Sequence, residues 1–383
     1  MHYSRPPRDG EEGQGLVLLR GLPTLGTAHG IAIVELDPDA ANFGAILQEV
    51  ELPKLTQPLH HLYYSPAGRL FATGLDVQCS LAEIVLSRDV QGKAVINDVK
   101  CLDTGGQQVG EDIFWHPVNG KEHMFVTFLG GTGVDQVDCG SVGVFDPQSN
   151  ALVKIIEARK SKVAKDAPYI IYPHGISAYA DRIVVEDAKP VGFPSAPVEV
   201  LFVRPSIVPG VTPTVLVNTM MGFETWKVPY DEVAKTLGAP TKLYDGATAG
   251  TGVPLEFYGN ETELFISHAV PGIVKRYALS SLPELVASGA DIKAEVGAHH
   301  MMFFTTASGR EVIAVQNSLL NLGKAEDNDP TDTDFIAKLN DNSITVHDLQ
   351  TGERIAQVNF KDRYKKGVEN VEALFGPGFV HHH

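Results

Sequence analysis

Positive charge is in short supply in this chain. Its 383 residues hold 31 Lys and Arg against 47 Asp and Glu, a formal charge of −16. Phosphate backbones are gripped by a basic face, so a nucleic-acid partner is excluded, and so is a polybasic membrane anchor. Long apolar runs are also missing: nothing approaches the ~20 residues that a membrane-spanning helix needs. The opening "MHYSRPPRDGEEGQG" has no apolar signal-peptide core, and a cytoplasmic location is expected. Cysteine is rare. Cys79, Cys101 and Cys139 are odd in number, widely spaced and without C-x-x-C, which argues against a disulfide framework and a zinc ribbon. No G-x-S-x-G elbow occurs. Long amphipathic helices do not alternate with strands, which removes Rossmann and TIM-barrel readings.

Repetition is what the chain does have. Two kinds of hairpin alternate along it. In the first kind a polar residue opens an apolar strand, followed by a turn and a second apolar strand. Examples are "HLYYSPAGRLFATG" (61–74), "DIFWHPVNGKEHMFVTF" (112–128), "HGISAYADRIVVED" (174–187), "PLEFYGNETELFISH" (254–268) and "HMMFFTTASGREVIAV" (300–315). Gly, Asn or Asp supplies the turn. The second kind pairs an alternating strand, an acidic turn and a further strand, as in "GSVGVFDPQSNALVKIIEA" (140–158) and "NSITVHDLQTGERIAQVNF" (342–360). One hairpin of each kind makes four antiparallel strands, a propeller blade. The spacing of about 50 residues is a blade period. The expected fold is all-β, one propeller over residues 1–380 with seven blades, or six if "PVEVLFVRPSIVPGVTPTVLVNTMMGFETWKV" (197–228) is an excursion within a blade. "GIAIVELD" would share a closing blade with "NVEALFGPGFV" (370–380). "YDEVAKTLG" (230–238) and "LSSLPELVASG" (279–289) read as short helices. "GGTGVDQVDCGSVG" (130–143) reads as a blade turn rather than a phosphate loop, and "EDNDPTDTDF" (326–335) as a solvated loop. The terminal "HHH" (381–383) has the character of a tag remnant.

Aligned on their turns, the first-kind hairpins bring His61, Asp112, His174, Pro254 and His300 to the start of the innermost strand, where different blades meet around the axis. His268 ends a second strand, which antiparallel pairing returns to the same mouth of the channel. Convergent neutral imidazoles suit copper, iron, nickel or zinc. The expected ligands are therefore His61, His174, His268 and His300. Asp112 is the candidate to orient a ligand or move a proton, with Glu111 or Glu186 as further orienting carboxylates. Strand alternation turns His60 and His299 toward the opposite face. The aromatics Tyr63, Tyr64, Phe114, Trp115, Phe303 and Phe304 are expected between blades.

"GIAIVELDPDAANFGAILQEVELPKLTQPLHHLYY" (30–64), with "HMFVTFLGG" (123–131) and "ELFISHAVPGIVKRYAL" (263–279), resembles the selenium-binding protein and methanethiol oxidase family. The resemblance implies a seven-bladed propeller, a metal bound by histidines including His61 and His60, and oxidation of a small thiol. The chain departs from that family in lacking its CSSC-like motif between His61 and Gly74; Cys79 stands alone after it.

The expected function is that of a metal-dependent oxidoreductase acting on a small molecule at one copper or iron ion in the channel. A lyase or hydrolase using zinc or manganese is the first alternative. A non-catalytic propeller that binds a protein partner is the second.

Overall fold

The computed structural model describes residues 13–22, 25–130, 140–157, 173–180, 182–187, 197–220, 222–319 and 340–374. The acidic loop at 326–335 and most of the glycine-rich turn at 130–143 lie outside them.

Runs of β-branched and aromatic residues broken by Gly, Asn and Asp fold into antiparallel sheets arranged as a propeller. Blade 1 combines Lys366–Ala373, innermost, with Gln14–Gly21, Gly30–Glu35 and Ile46–Glu51. Blade 2 is Leu59–Tyr64, Leu70–Gly74, Leu81–Arg88 and Ala94–Cys101. Blade 3 is Gly110–Val118, Lys121–Phe128, Ser141–Phe145 and Leu152–Glu157. The fourth station is, among the described residues, a hairpin of Pro173–Tyr179 and Arg182–Asp187. Blade 5 runs from Pro197–Val203 through Thr214–Thr219 to Glu224–Asp231, whose outer side takes both Thr236–Leu237 and Thr241–Asp245. Blade 6 is Pro254–Gly259, Glu263–His268, Ile273–Ala278 and Ile292–Lys293; blade 7 is Ala298–Thr305, Glu311–Ser318, Asn340–Asp348 and Arg354–Asn359.

Six blades are therefore complete, and 197–228 belongs to a blade of its own. The inner strands of all seven stations touch their neighbours in a closed circle. The closing blade does join the two ends of the described chain, but it uses one strand that composition did not mark, Gln14–Gly21. "YDEVAKTLG" is not helical: Tyr230 pairs with Leu237 across a turn capped by Asp231, and Val233 points into solvent. "LSSLPELVASG" has a single 3-10 turn at Leu279–Ser281.

The apolar core is divided among the interfaces between blades. Leu16, Leu18, Leu59 and Leu70 fill the space between blades 1 and 2. Tyr63, Phe71, Ile113 and Met124 fill the next, and Phe265 meets Phe303 between blades 6 and 7 with ring centroids 4.9 Å apart. Each such buried side chain contributes ~1.5–3 kcal/mol.

The centre of the ring is built differently. Every inner strand shifts register against its second strand at the same level: between Leu59 and Leu62, Gly110 and Ile113, Pro173 and Ile176, Pro197 and Glu199, Pro254 and Phe257, Ala298 and Met301, and at Glu369. A bulge leaves a backbone amide without its ladder partner. A polar side chain from the second strand accepts it: Thr73 Oγ1 for His61 N (3.2 Å), Thr127 Oγ1 for Asp112 N (2.9 Å), Ser267 Oγ for Glu256 N (3.2 Å) and Gln316 Oε1 for His300 N (3.2 Å). Several of these groups also reach the next blade. Thr73 donates to Glu111 O (2.8 Å), Thr127 to His174 O (2.6 Å) and Gln316 to Val368 O (2.9 Å), and Asn218 Nδ2 of blade 5 donates to Leu255 O (2.5 Å). Hydrogen bonds thus tie neighbouring inner strands together at the level of the bulges.

Candidate metal centre

The bulges decide which side chains meet on the axis. Two residues oppose one at each bulge, so strict alternation fails there and adjacent residues can both turn inward. His60 and His61 stand at this level in blade 2, and Glu111 and Asp112 in blade 3. His174 comes from the fourth station, Glu199 from blade 5, Glu256 from blade 6, His299 and His300 from blade 7, and Glu369 from blade 1.

Four imidazoles gather there. The His61 and His300 ring centroids are 4.7 Å apart, His60 and His61 4.0 Å, His299 and His300 3.8 Å, and His61 and His299 5.8 Å. Donor atoms of His61, Glu256, His299 and His300 all lie within 4.8 Å of one another, and all four residues are buried. His61 Nδ1 lies 2.8 Å from the Tyr63 hydroxyl, and Tyr63 is hydrogen-bonded in turn to Asp112. The carboxylate accepts the Tyr63 proton, so the tyrosine oxygen accepts from Nδ1–H. That tautomer leaves the Nε2 lone pair available. Nε2 is buried and has no hydrogen-bond partner. His300 Nδ1 lies 2.9 Å from the Tyr258 hydroxyl of blade 6. His299 Nε2 faces Glu256 at 3.3 Å.

Burial governs the protonation of this cluster. It pushes His61 well below the usual imidazole range, reinforced by His60, His300 and His299. It lowers His60 and brings His174 down to about 4. These rings are therefore neutral at pH 7, the form that binds metals. Burial, with the charges of Glu256 and Asp112, raises Glu111 well above the usual carboxylate range. Burial also lifts Asp112 to about 7, against the opposing hydrogen bond from Ile176 N. Glu256 with His61, His299 and His300, and Glu111 with His60 and His61, make two sets of buried donor atoms that could hold a cation.

Solved structures place this architecture among known propellers. The fold is shared with a selenium-binding protein. A hypothetical selenium-binding protein from Sulfolobus tokodaii superposes with a TM-score of 0.61 at 14% identity, over 97% of this chain and 95% of that one. A periplasmic gluconolactonase from Pseudomonas aeruginosa gives a TM-score of 0.53 at 14% identity, over 90% and 96%. No protein-family model matches, and no curated protein does.

Of the residues expected at the site, His61 and His300 stand side by side, and His174 faces the cluster through Glu111 at 3.6 Å. Asp112 does not point at the imidazoles directly. Its carboxylate accepts Ile113 N (2.6 Å) and Ile176 N (2.8 Å) and reaches His61 through Tyr63. His268 is set apart: its Nδ1 lies 3.0 Å from Thr251 O and its ring packs edge-on against Tyr244. Ser267, one residue earlier, is the group that faces the inner strand. Pro254 is not the counterpart of His61 either; that place belongs to Glu256. His60, His299, Glu256 and Glu369 are the participants that alternation hid. The signal for them was present in register: "LHHL", "GEDI", "PHGI", "LEF", "AHHM" and "VEN" each set polar residues at the same step of an inner strand. The side chain of Glu186 lies outside the described residues. Cys79 and Cys101, read as unpaired, form a disulfide, because the turn after the second strand of blade 2 places Cys79 against the end of its outer strand.

Proposed function

We propose that this chain is a metal-dependent oxidoreductase that acts on a small organic substrate in the propeller channel. The observation that carries the reading is His61: its Nδ1 is fixed by Tyr63, its buried Nε2 has no hydrogen-bond partner, and it stands grouped with donors of Glu256, His299 and His300. Those three histidines and one carboxylate are the residues that would hold the ion, a donor set suited to copper or iron and also to zinc or manganese. A copper or iron ion, when bound, supplies electron exchange with dioxygen and the substrate. The chain supplies the rest. Tyr63 and Tyr258 orient the two imidazoles, Asp112 holds the Tyr63 proton in place, and Glu111, whose carboxyl burial shifts upward, stands beside the cluster. His174, whose side chain is 24% exposed, marks the side from which a substrate enters.

The test is elemental analysis of protein without residues 381–383, purified without a nickel column. At least one copper or iron per chain is expected, with oxygen uptake on a screen of small substrates. His61→Ala and His300→Ala should each lose that ion while circular dichroism stays that of the parent. Full retention of the ion in both variants overturns the reading. A second reading, metal-assisted hydrolysis, is favoured by the carboxylate Glu256 in the donor set and by the fold shared with a gluconolactonase. Zinc or manganese in the purified protein, with lactone hydrolysis and no oxygen uptake, would select it.

A further inference from the structure

Glu111 Oε2 is buried and has no hydrogen-bond partner. Two imidazole nitrogens point at that one oxygen. His60 Nε2 is 3.7 Å away and His174 Nε2 3.6 Å away. Both distances are too long for a direct hydrogen bond. They are close to the spacing of donors around a shared ion: two ligands ~2.1 Å from a tetrahedral zinc stand about 3.4 Å apart.

We propose that the channel holds a second divalent cation of the zinc class, bound by Glu111, His60 and His174, beside the ion at His61, Glu256, His299 and His300. The proposal rests on the metal reading above and adds a site to it. His61 cannot serve both ions. His61 stands within reach of both groups, Glu256, His299 and His300 on one side and His60 and Glu111 on the other; with Nδ1 occupied by Tyr63 it has one free nitrogen, which can serve one ion, and we assign it to the first. His60 and Glu111 then need a third ligand, and His174 is the one that faces Glu111. On its other side His60 Nδ1, buried without a hydrogen-bond partner, faces Glu369 at 3.8 Å, and Glu369 is itself paired with Arg20 at 3.2 Å. Arg20 is anchored by donating to Asn342 Oδ1 at 3.1 Å. The buried Glu369–Arg20 pair walls that side of the ring, and Nε2 is the nitrogen turned toward Glu111. Three protein ligands with the partly exposed His174 on the solvent side leave a position open to water or substrate.

The experiment is a titration of chelator-stripped chain, lacking residues 381–383, with Zn²⁺ alone. Bound metal is counted after gel filtration. Two ions per chain are expected. Glu111→Gln and His174→Ala should each bind one, as should His300→Ala, and the Glu111→Gln/His300→Ala double variant none. Should Glu111→Gln fail to fold, His174→Ala at the least enclosed position carries the test. One ion in the parent, still one in His174→Ala and none in His300→Ala, would overturn the second site and leave the first intact. No binding at all in the folded parent would overturn both.

Discussion

The hydroxyl of Tyr63 stands between Asp112 and His61 and links that carboxylate to the candidate metal centre. Removing it should leave the fold in place, because the ring still packs against Phe71, Ile113 and Met124. Tyr63→Phe is therefore expected to weaken metal binding ~10–100-fold, the usual cost of losing the group that orients a ligating histidine. His268→Gln, distant in function though equally buried, should leave affinity unchanged. Competition against a chelator of known affinity measures both; equal loss in the two variants would refute the assignment of His61 over His268. That distinction was not readable from sequence. His61 and His268 both sit at the end of an apolar strand, and only the bulge tells which faces the axis.

Along a strand, the same bulge explains what sequence reasoning got right and wrong. Hairpins and turns follow from alternation and Gly, Asn or Asp turns, and they held; of the seven blades expected, six are complete among the described residues and the fourth station is a hairpin. Alternation also turned His60 and His299 outward, and there it failed, because the period of two is interrupted just where the site is built. Thr127 shows how much the interruption depends on a single polar side chain. It accepts Asp112 N and donates to His174 O, joining blade 3 to the fourth station. Thr127→Val keeps the shape and removes both bonds. Leaving a buried amide and a buried carbonyl unmet costs roughly 1–3 kcal/mol each. Denaturant unfolding should show a loss of that size. A loss below about 0.5 kcal/mol would mean that water takes over both groups and that the latch is dispensable.

Across the propeller, the apolar interfaces were predictable from composition, whereas the covalent link was not. Cys79 and Cys101 lie 22 residues apart, with no motif between them. Their pairing arises from a four-stranded blade folding its third and fourth strands back on the second. Closing a loop of this length stabilises by ~3 kcal/mol through the unfolded chain. Cys79→Ala/Cys101→Ser should lose about that much in a two-variant comparison under oxidising conditions, and the loss should vanish when the parent is measured with reductant. A parent insensitive to reductant would show that the bond is not formed in solution.

The closing strand Lys366–Ala373 has a consequence for how the protein is made. It carries Glu369, which faces His60 at 3.8 Å, and it is synthesised after every blade it closes. Histidines emerging from the ribosome in blade 2 must wait for it. A chain interrupted before this strand would hold imidazoles and carboxylates without the brace that sets them. On the metal reading proposed above, an ion bound at this site would report that the ring had closed on its last strand.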